Sequence, residues 1–116
     1  MKNCTDLKQS NDLSKFLSLE SADMRIGNYV GKSGRVDGTN IHYYTKGESF
    51  GAPEIVYAWS LTALMDVLDR GAVFKTPQGW ACQSYTEYKA ITSDYYNNPI
   101  DACVAMIENL HQQKLL

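Results

Sequence analysis

A capped amphipathic helix pattern in the middle of the chain restricts the fold more than any other feature of the sequence. Ser60 is a suitable N-cap, and Trp59 before it is placed to form a hydrophobic staple with Leu64. Gly71 is placed to end the helix in a left-handed conformation. Such a helix has to bury its apolar stripe against a second layer of structure. The stripe consists of Leu61, Leu64, Met65 and Leu68.

Two further helices are predicted, one at each end of the chain. In the C-terminal helix Asn98 is the N-cap and Pro99 takes the first helical position, where a missing N–H has no cost. The N-terminal helix runs from about Asp6 to Leu19 and is capped by Thr5 or Ser10. The apolar residues at helical spacing are Leu13, Phe16 and Leu17 in the first helix and Ile100, Cys103, Val104, Ile107 and Leu110 in the last.

The remaining segments favour strands and turns. Residues Thr76 to Gly79, with proline second and glycine last, are typical of a turn and predict a hairpin. The four glycines of the segment 27–38 predict a mobile loop or a loose hairpin. We therefore predict one α+β domain over residues 1–116, in which an antiparallel sheet of about four to five strands carries three helices packed mainly on one face. The predicted strands are Thr39–Thr45, Glu54–Tyr57, Ala72–Lys75, Trp80–Tyr85 and Tyr88–Thr92.

The composition is that of an ordinary globular protein. With 116 residues, 44% hydrophobic and 21% charged, the chain is long enough to bury a core without a disulfide or a metal. The net charge is −2, and the 11 basic residues are scattered along the sequence. Nucleic-acid binding is therefore the less favoured prediction, because nucleic-acid backbones are recognised by clustered lysine and arginine. The residues that would carry it are Arg25, Lys32 and Arg35.

The sequence is typical of a cytoplasmic protein. Its first residues are polar and contain no apolar stretch suited to a signal peptide. The longest apolar run, Ile55 to Trp59, is far too short to span a membrane. Cys4, Cys82 and Cys103 are odd in number and widely separated, so we expect reduced thiols rather than a disulfide framework.

One glycine-rich motif has the composition of a phosphate-binding loop. The segment 27–33 reads Gly-Asn-Tyr-Val-Gly-Lys-Ser, but it is one residue short, since Ile26 stands where the motif needs its first glycine. A phosphate-binding loop also follows a buried strand and opens a helix, and neither flank has that pattern. We expect a plain loop and no nucleotide cofactor.

The titratable residues form no recognisable catalytic or metal-binding pattern. Cys103 and His111 are eight residues apart on one predicted helix, about 12 Å along its axis, which is too far for a hydrogen bond. The cysteines and histidines lack the short spacings of zinc sites, so no metal is expected. A small enzyme with an unrecognised site, built from Asp66, His42 or Cys82, remains the alternative hypothesis.

Aromatic residues are the most informative excess in the composition. The chain has eight tyrosines, two tryptophans and three phenylalanines. Because neighbouring residues of a strand face opposite sides, one residue of an adjacent tyrosine pair is expected on an open sheet face. Exposed tyrosine and tryptophan are common anchors of protein interfaces. The predicted binding residues are Tyr43, Tyr44, Trp59, Trp80 and Tyr85.

Three sequence blocks carry a resemblance to a known group of proteins. The segment 58–68 is similar to an AWSL-x-x-L-x-x-x-L pattern, and the segment 98–110 begins with an NPxDA block. A shorter block lies at 21–24. In this order the blocks resemble small uncharacterised proteins encoded on phages and mobile elements of gut anaerobic bacteria. That family often has proline where this chain has Tyr57, and it has no assigned activity to carry over.

These observations favour a non-enzymatic accessory protein that acts through protein–protein contacts. The protein partner is not identified by the sequence. A homodimer is the favoured oligomeric state, since a short domain can hide exposed strand edges by pairing with a copy of itself.

Overall fold

The computed structural model describes residues 2–28, 41–45, 54–86 and 89–116, with the side chains of residues 2–26, 56–86 and 89–116. Three α-helices, one short 3₁₀ helix and six strands occur in this part of the chain. In chain order they are α1 (Leu7–Leu13), the 3₁₀ helix (Leu19–Ser21), β1 (Met24–Asn28), β2 (Ile41–Thr45), β3 (Glu54–Ala58), α2 (Leu61–Leu68), β4 (Gly71–Thr76), β5 (Gly79–Tyr85), β6 (Ala90–Thr92) and α3 (Pro99–Gln112).

The strands form two antiparallel sheets. The first has the order β2-β1-β3, with Ile26 opposite Tyr43 on one side and Val56 on the other. The second has the order β4-β5-β6, with Val73 opposite Cys82. The predicted α+β class, antiparallel strands and three helices are confirmed. The prediction of one sheet differs from the structure, because α2 lies between β3 and β4 in the chain and the strands that follow it pair only with one another.

The main core lies between the second sheet and the two longer helices. The apolar stripes of α2 and α3 meet each other and one face of β4 and β5, so both helices of the second half bury their apolar sides there. Each fully buried leucine or isoleucine stabilises the fold by roughly 1.5–3 kcal/mol. A separate, smaller cluster belongs to the first sheet and consists of Cys4, Ile26 and Ala58, with Met24 and Val56 packed against it.

The predicted caps of α2 and α3 are confirmed. Ser60 Oγ accepts a hydrogen bond from the Ala63 amide at 3.3 Å, and Asn98 Oδ1 accepts one from the Asp101 amide at 2.9 Å. The Asp23 carboxylate accepts hydrogen bonds from both the amide and the hydroxyl of Ser60, which joins the start of α2 to the chain just before β1.

The N-terminal helix starts close to the predicted position but differs from its prediction in its capping residue and its length. Asp6 is its N-cap and forms a capping box with Gln9, and the helix ends at Leu13. Thr5 and Ser10, the predicted caps, are instead buried and hydrogen-bonded to each other at 2.8 Å between their hydroxyl oxygens.

The end of α2 corrects the expected role of Gly71. The residue with positive φ is Asp69, at φ 58° and ψ −60°, and the Arg70 amide donates to the Leu68 carbonyl at 2.5 Å in a γ-turn. Gly71 is already the first residue of β4, and a Cβ there would lie 3.2 Å from Leu68 Cβ and 3.3 Å from the Gln83 carbonyl oxygen. Glycine is thus favoured at position 71 by close packing, and the turn itself occurs two residues earlier.

Candidate protein-interaction surface

The second sheet has one face covered by helices and one face without them in the described part of the chain. Val73, Trp80, Cys82 and Ile91 pack against the main core beneath α2 and α3. By the alternation of strand side chains, their neighbours lie on the opposite side. We call this side the outer face, and it consists of Ala72, Phe74, Ala81, Gln83, Tyr85, Ala90 and Thr92.

The outer face combines exposed aromatic rings with small residues. Phe74 on β4 is 37% exposed and Tyr85 on β5 is 49% exposed, while alanines stand opposite both of them at positions 81 and 90. The Tyr85 hydroxyl donates to Gln83 Oε1 at 3.0 Å on the same strand. The rings therefore stand above a surface of small side chains, which leaves their apolar area available to another molecule.

A bulge at the end of β6 adds a third aromatic residue beside this face. Ser93 is bonded to Cys82 through its amide, and Tyr96 is bonded to Trp80 through both backbone groups at 2.7 and 2.8 Å. Two residues, 94 and 95, therefore stand opposite Ala81 alone, which is the pattern of a β-bulge. Tyr96 packs against the main core, so by alternation its neighbour Tyr95 faces the outer side, where it is 51% exposed.

The hairpin beside the bulge depends on Gly79. The predicted turn over Thr76 to Gly79 is confirmed, and Thr76 Oγ1 donates to the Gly79 carbonyl at 3.0 Å. Gly79 has φ +132°, and a Cβ there would lie only 2.7 Å from the Tyr96 carbonyl oxygen. Glycine is required at this position because the backbone after β6 approaches it so closely.

Strand β4 is an edge strand. One of its edges pairs with β5, and no described strand pairs with the other edge. The Tyr85 amide donates to the Arg70 carbonyl at 2.9 Å, so by alternation the even-numbered residues of β4 bond to β5. Cys82, opposite Val73, directs its own backbone groups to Ser93 on the β6 side, which agrees with this pattern. The amides and carbonyls of Gly71, Val73 and Lys75 therefore point away from β5 toward the free edge.

The predicted aromatic binding residues do not share one surface. Trp59 is 0% exposed, and its indole Nε1 donates to Ser21 Oγ at 2.9 Å while its amide donates to Thr5 Oγ1 at 3.1 Å. The prediction of Trp59 as a surface anchor is thus corrected: it is a core residue that joins α2 to the N-terminal segment. Tyr43 and Tyr44 belong to β2, and their side chains lie outside the described part of the structure.

The other two predicted aromatic residues lie on opposite faces of β5. Trp80 is half-buried on the helix-covered face, and Lys75 Nζ lies 5.9 Å from the centre of its ring, within the range of a cation–π contact. Tyr85 lies on the outer face. Among the predicted aromatic residues whose side chains the structure describes, it is the exposed one. Sequence reasoning missed Phe74 and Tyr95, because nothing local in the sequence tells which face of the sheet the helices cover.

The residues proposed for nucleic-acid binding are only partly described. Arg25 is half-buried in β1, the central strand of the first sheet, where Tyr44 and Tyr57 stand opposite it in register. Lys32 and Arg35, and most of the predicted glycine-rich loop at 27–38, lie outside the described residues.

Of the residues proposed for a small enzyme, the two whose side chains the structure describes do not lie together. Asp66 is exposed on α2, whereas Cys82 is fully buried in the main core beside Cys103. The hydrogen bond with Cys82, together with burial, raises the pKa of the Cys103 thiol far above its ordinary range. His42 lies in β2 and its side chain is not described.

His111, the second histidine, lies flat against an aromatic ring near the end of α3. Its ring stacks on that of Phe16 at a centroid distance of 3.9 Å and an interplanar angle of 8°. Within the described ranges, no three or more histidine, cysteine, aspartate or glutamate side chains gather as they would around a metal ion.

A groove of about 370 Å³ lies between α1 and α3. Three of the four acidic residues that line it are engaged in ion pairs: Lys2 Nζ lies 3.1 Å from Asp6 and 2.8 Å from Asp101, and Asp12 pairs with Lys8 at 3.1 Å. Burial alone would raise the pKa of the Asp101 carboxyl. Hydrogen bonds from Lys2, Gln9 and Asn98 outweigh this effect and hold the pKa below its usual value. The charges of this groove already stabilise the packing of the N-terminal segment on α3.

No protein-family model matches the chain, and comparison with curated proteins and with solved structures finds no significant match. Across residues 2–28, 41–45, 54–86 and 89–116, no helix has the length and apolar character needed to cross a bilayer.

Proposed function

We propose that this chain is a non-enzymatic protein-interaction module that contacts its partner through the outer face of the second sheet. The observation that carries the proposal is the exposure of Phe74, Tyr85 and Tyr95 on and beside a sheet face that no described helix covers. Large aromatic side chains lose little conformational entropy on binding and supply much apolar area, so they dominate interface energetics. The role of an accessory protein of a phage or mobile element, acting in the cytoplasm, is the biological setting that the sequence resemblance supports.

The construction of the outer face suits protein contact better than small-molecule binding. Ligand sites are concave and enclose most of their ligand, whereas this face is a sheet surface with rings standing above alanines. The concave groove between α1 and α3 has most of its charges paired internally, so a charged ligand would have to break existing ion pairs.

A capture experiment with matched variants tests the proposal. Wild-type protein and a Phe74→Ser/Tyr85→Ser variant are each immobilised and exposed to native lysate, with Leu19→Ser as the control. Leu19 is 47% exposed on the 3₁₀ helix, so its replacement removes a comparable exposed apolar group away from the outer face. Circular dichroism first confirms that all three proteins are folded.

The expected result is a partner retained by wild type and by Leu19→Ser and lost from the double variant. Removal of two interface anchors is expected to weaken binding at least a hundredfold, since each hot-spot aromatic contributes about 2 kcal/mol or more. Equal retention by all three proteins would show that the partner binds elsewhere. Absence of any partner, together with absence of self-association, would refute the interaction module itself.

A further inference from the structure

We infer that the free edge of β4 pairs with β4 of a second copy of this chain, in an antiparallel two-fold arrangement centred on Val73. The inference rests on the proposed function, because it names the partner for one edge of the same sheet. It would join two three-stranded sheets into one six-stranded sheet with a continuous outer face.

The backbone of β4 is prepared for this pairing. Gly71, Val73 and Lys75 direct their amides and carbonyls away from β5, which gives three donors and three acceptors at alternate positions along one edge. Unpaired groups of this kind are a template for another strand. No described strand occupies this edge.

The two ends of β4 restrict the register to one solution. Asp69 leaves the extended conformation at φ 58°, and Pro77 in the hairpin turn has no amide to donate, so only residues 71–76 can form a ladder. An antiparallel pairing centred on Val73 places Gly71 opposite Lys75 of the second copy and Val73 opposite its own equivalent. This register alone pairs all three outward residues and gives six interchain hydrogen bonds. If the second copy is shifted by two residues in either direction, one outward residue of each copy lies opposite Asp69 or Pro77. That residue then has no partner in the ladder.

The side chains of β4 fit this register. Phe74 of one copy lies opposite Ala72 of the other on the outer face, so a large side chain meets a small one on each side of the two-fold axis. Lys75 lies opposite Gly71, which has no side chain to oppose the charge. No like charges therefore stand directly opposite each other in this register.

Disulfide trapping between two different single variants tests the register. In a non-hydrogen-bonded antiparallel pair the Cα atoms are about 4.5 Å apart, within the range that a disulfide can bridge. Ala72→Cys and Phe74→Cys proteins are prepared separately, mixed, and oxidised with glutathione disulfide. The inference predicts a disulfide-linked dimer in the mixture and little in either protein alone, because each new cysteine faces the other position. Gln83→Cys on the central strand β5 lies on the same face and is the control that should not cross-link.

A backbone variant tests the hydrogen bonds independently of cysteine chemistry. Lys75→Pro removes an edge amide without touching the bonds between β4 and β5, and Lys75→Ala removes the side chain but keeps that amide. Light scattering after size-exclusion chromatography should show a concentration-dependent dimer for wild type and Lys75→Ala. For Lys75→Pro the dimer should be at least tenfold weaker, because two interchain hydrogen bonds are lost.

Each other result would overturn the inference. A folded wild type that stays monomeric at all accessible concentrations excludes the dimer, and a dimer that cross-links equally through Gln83→Cys, or that survives Lys75→Pro unchanged, is formed by another surface. A monomer that still captures a partner through Phe74 and Tyr85 would refute the second copy while leaving the proposed function intact.

Discussion

Replacing Asp101 by asparagine is expected to destabilise the protein by about 2 kcal/mol at pH 7. The carboxylate accepts hydrogen bonds from Lys2 Nζ at 2.8 Å, Gln9 Nε2 at 2.8 Å and Asn98 Nδ2 at 2.9 Å, and it lies in the first turn of α3. The side chains of Lys2 and Asp101 are only 22% and 31% exposed, so the pair is better shielded than an ordinary surface ion pair. Asparagine keeps the size but loses the charge, which weakens the bond to Lys2 by roughly 1–1.5 kcal/mol and removes a helix-dipole contribution of about 0.5 kcal/mol.

The effect of this substitution has a defined dependence on pH. Because the folded pKa of Asp101 lies below its unfolded value of about 3.9, the ionised group stabilises the fold above that value, and the contribution is lost as the pH falls through the folded pKa. The difference between wild type and Asp101→Asn should therefore be full at pH 7 and shrink below about pH 4.

Urea denaturation at a series of pH values measures the difference, and at pH 7 the melting temperature should fall by about 8 °C for a chain of this size. Asp12→Asn is the control, since Asp12 pairs with the highly exposed Lys8 and should change stability by less than about 0.5 kcal/mol. Equal stability of wild type and Asp101→Asn at pH 7, or a difference that persists unchanged at pH 3, would refute the reasoning.

Three further substitutions test local features by urea denaturation. Gly79→Ala should cost about 3 kcal/mol, because a Cβ at φ +132° would lie 2.7 Å from the Tyr96 carbonyl oxygen, and a loss below about 1 kcal/mol would show that the hairpin adapts. Asp69→Gly should stabilise by about 1 kcal/mol, since relief of a strained φ of 58° exceeds the entropic cost of glycine, and destabilisation would contradict the γ-turn. Trp59→Phe should cost about 1–2 kcal/mol through loss of the hydrogen bond to Ser21, and an unchanged midpoint would mean that this bond contributes nothing.

The elements predicted well from the sequence are those whose signals are local. The Ser60 and Asn98 caps, the apolar stripes that follow them, and the turn at Gly79 each depend on a few neighbouring residues, and the structure confirms all of them. Sheet membership is different because it depends on pairing between distant segments. Residues 24–28, which carry no clear strand pattern, form the central strand of the first sheet, and nothing local indicates that β3 and β4 belong to different sheets.

The candidate surface was predicted less well than the fold for a related physical reason. Strand alternation states that Trp80 and Tyr85 lie on opposite faces of β5, but not which face the helices will cover. Trp59 follows a strand and precedes a helix cap, and the sequence does not reveal that Thr5 and Ser21 satisfy its polar groups and so permit full burial. Phe74 and Tyr95 become candidates only when the covered face is known.

The two faces of the second sheet separate stability from binding. On the covered face, Val73 and Cys82 pack against α2 and α3, so substitutions there remove buried apolar area and lower the free energy of unfolding. On the outer face, Phe74 is 37% exposed and Tyr85 is 49% exposed, so these rings bury a smaller share of their surface within the fold than the core side chains do. The exposed part of each ring stands beside alanines. This apolar area is therefore available for intermolecular contact. Substitutions of these two rings should therefore change binding or self-association while the free energy of unfolding falls by no more than about 1 kcal/mol.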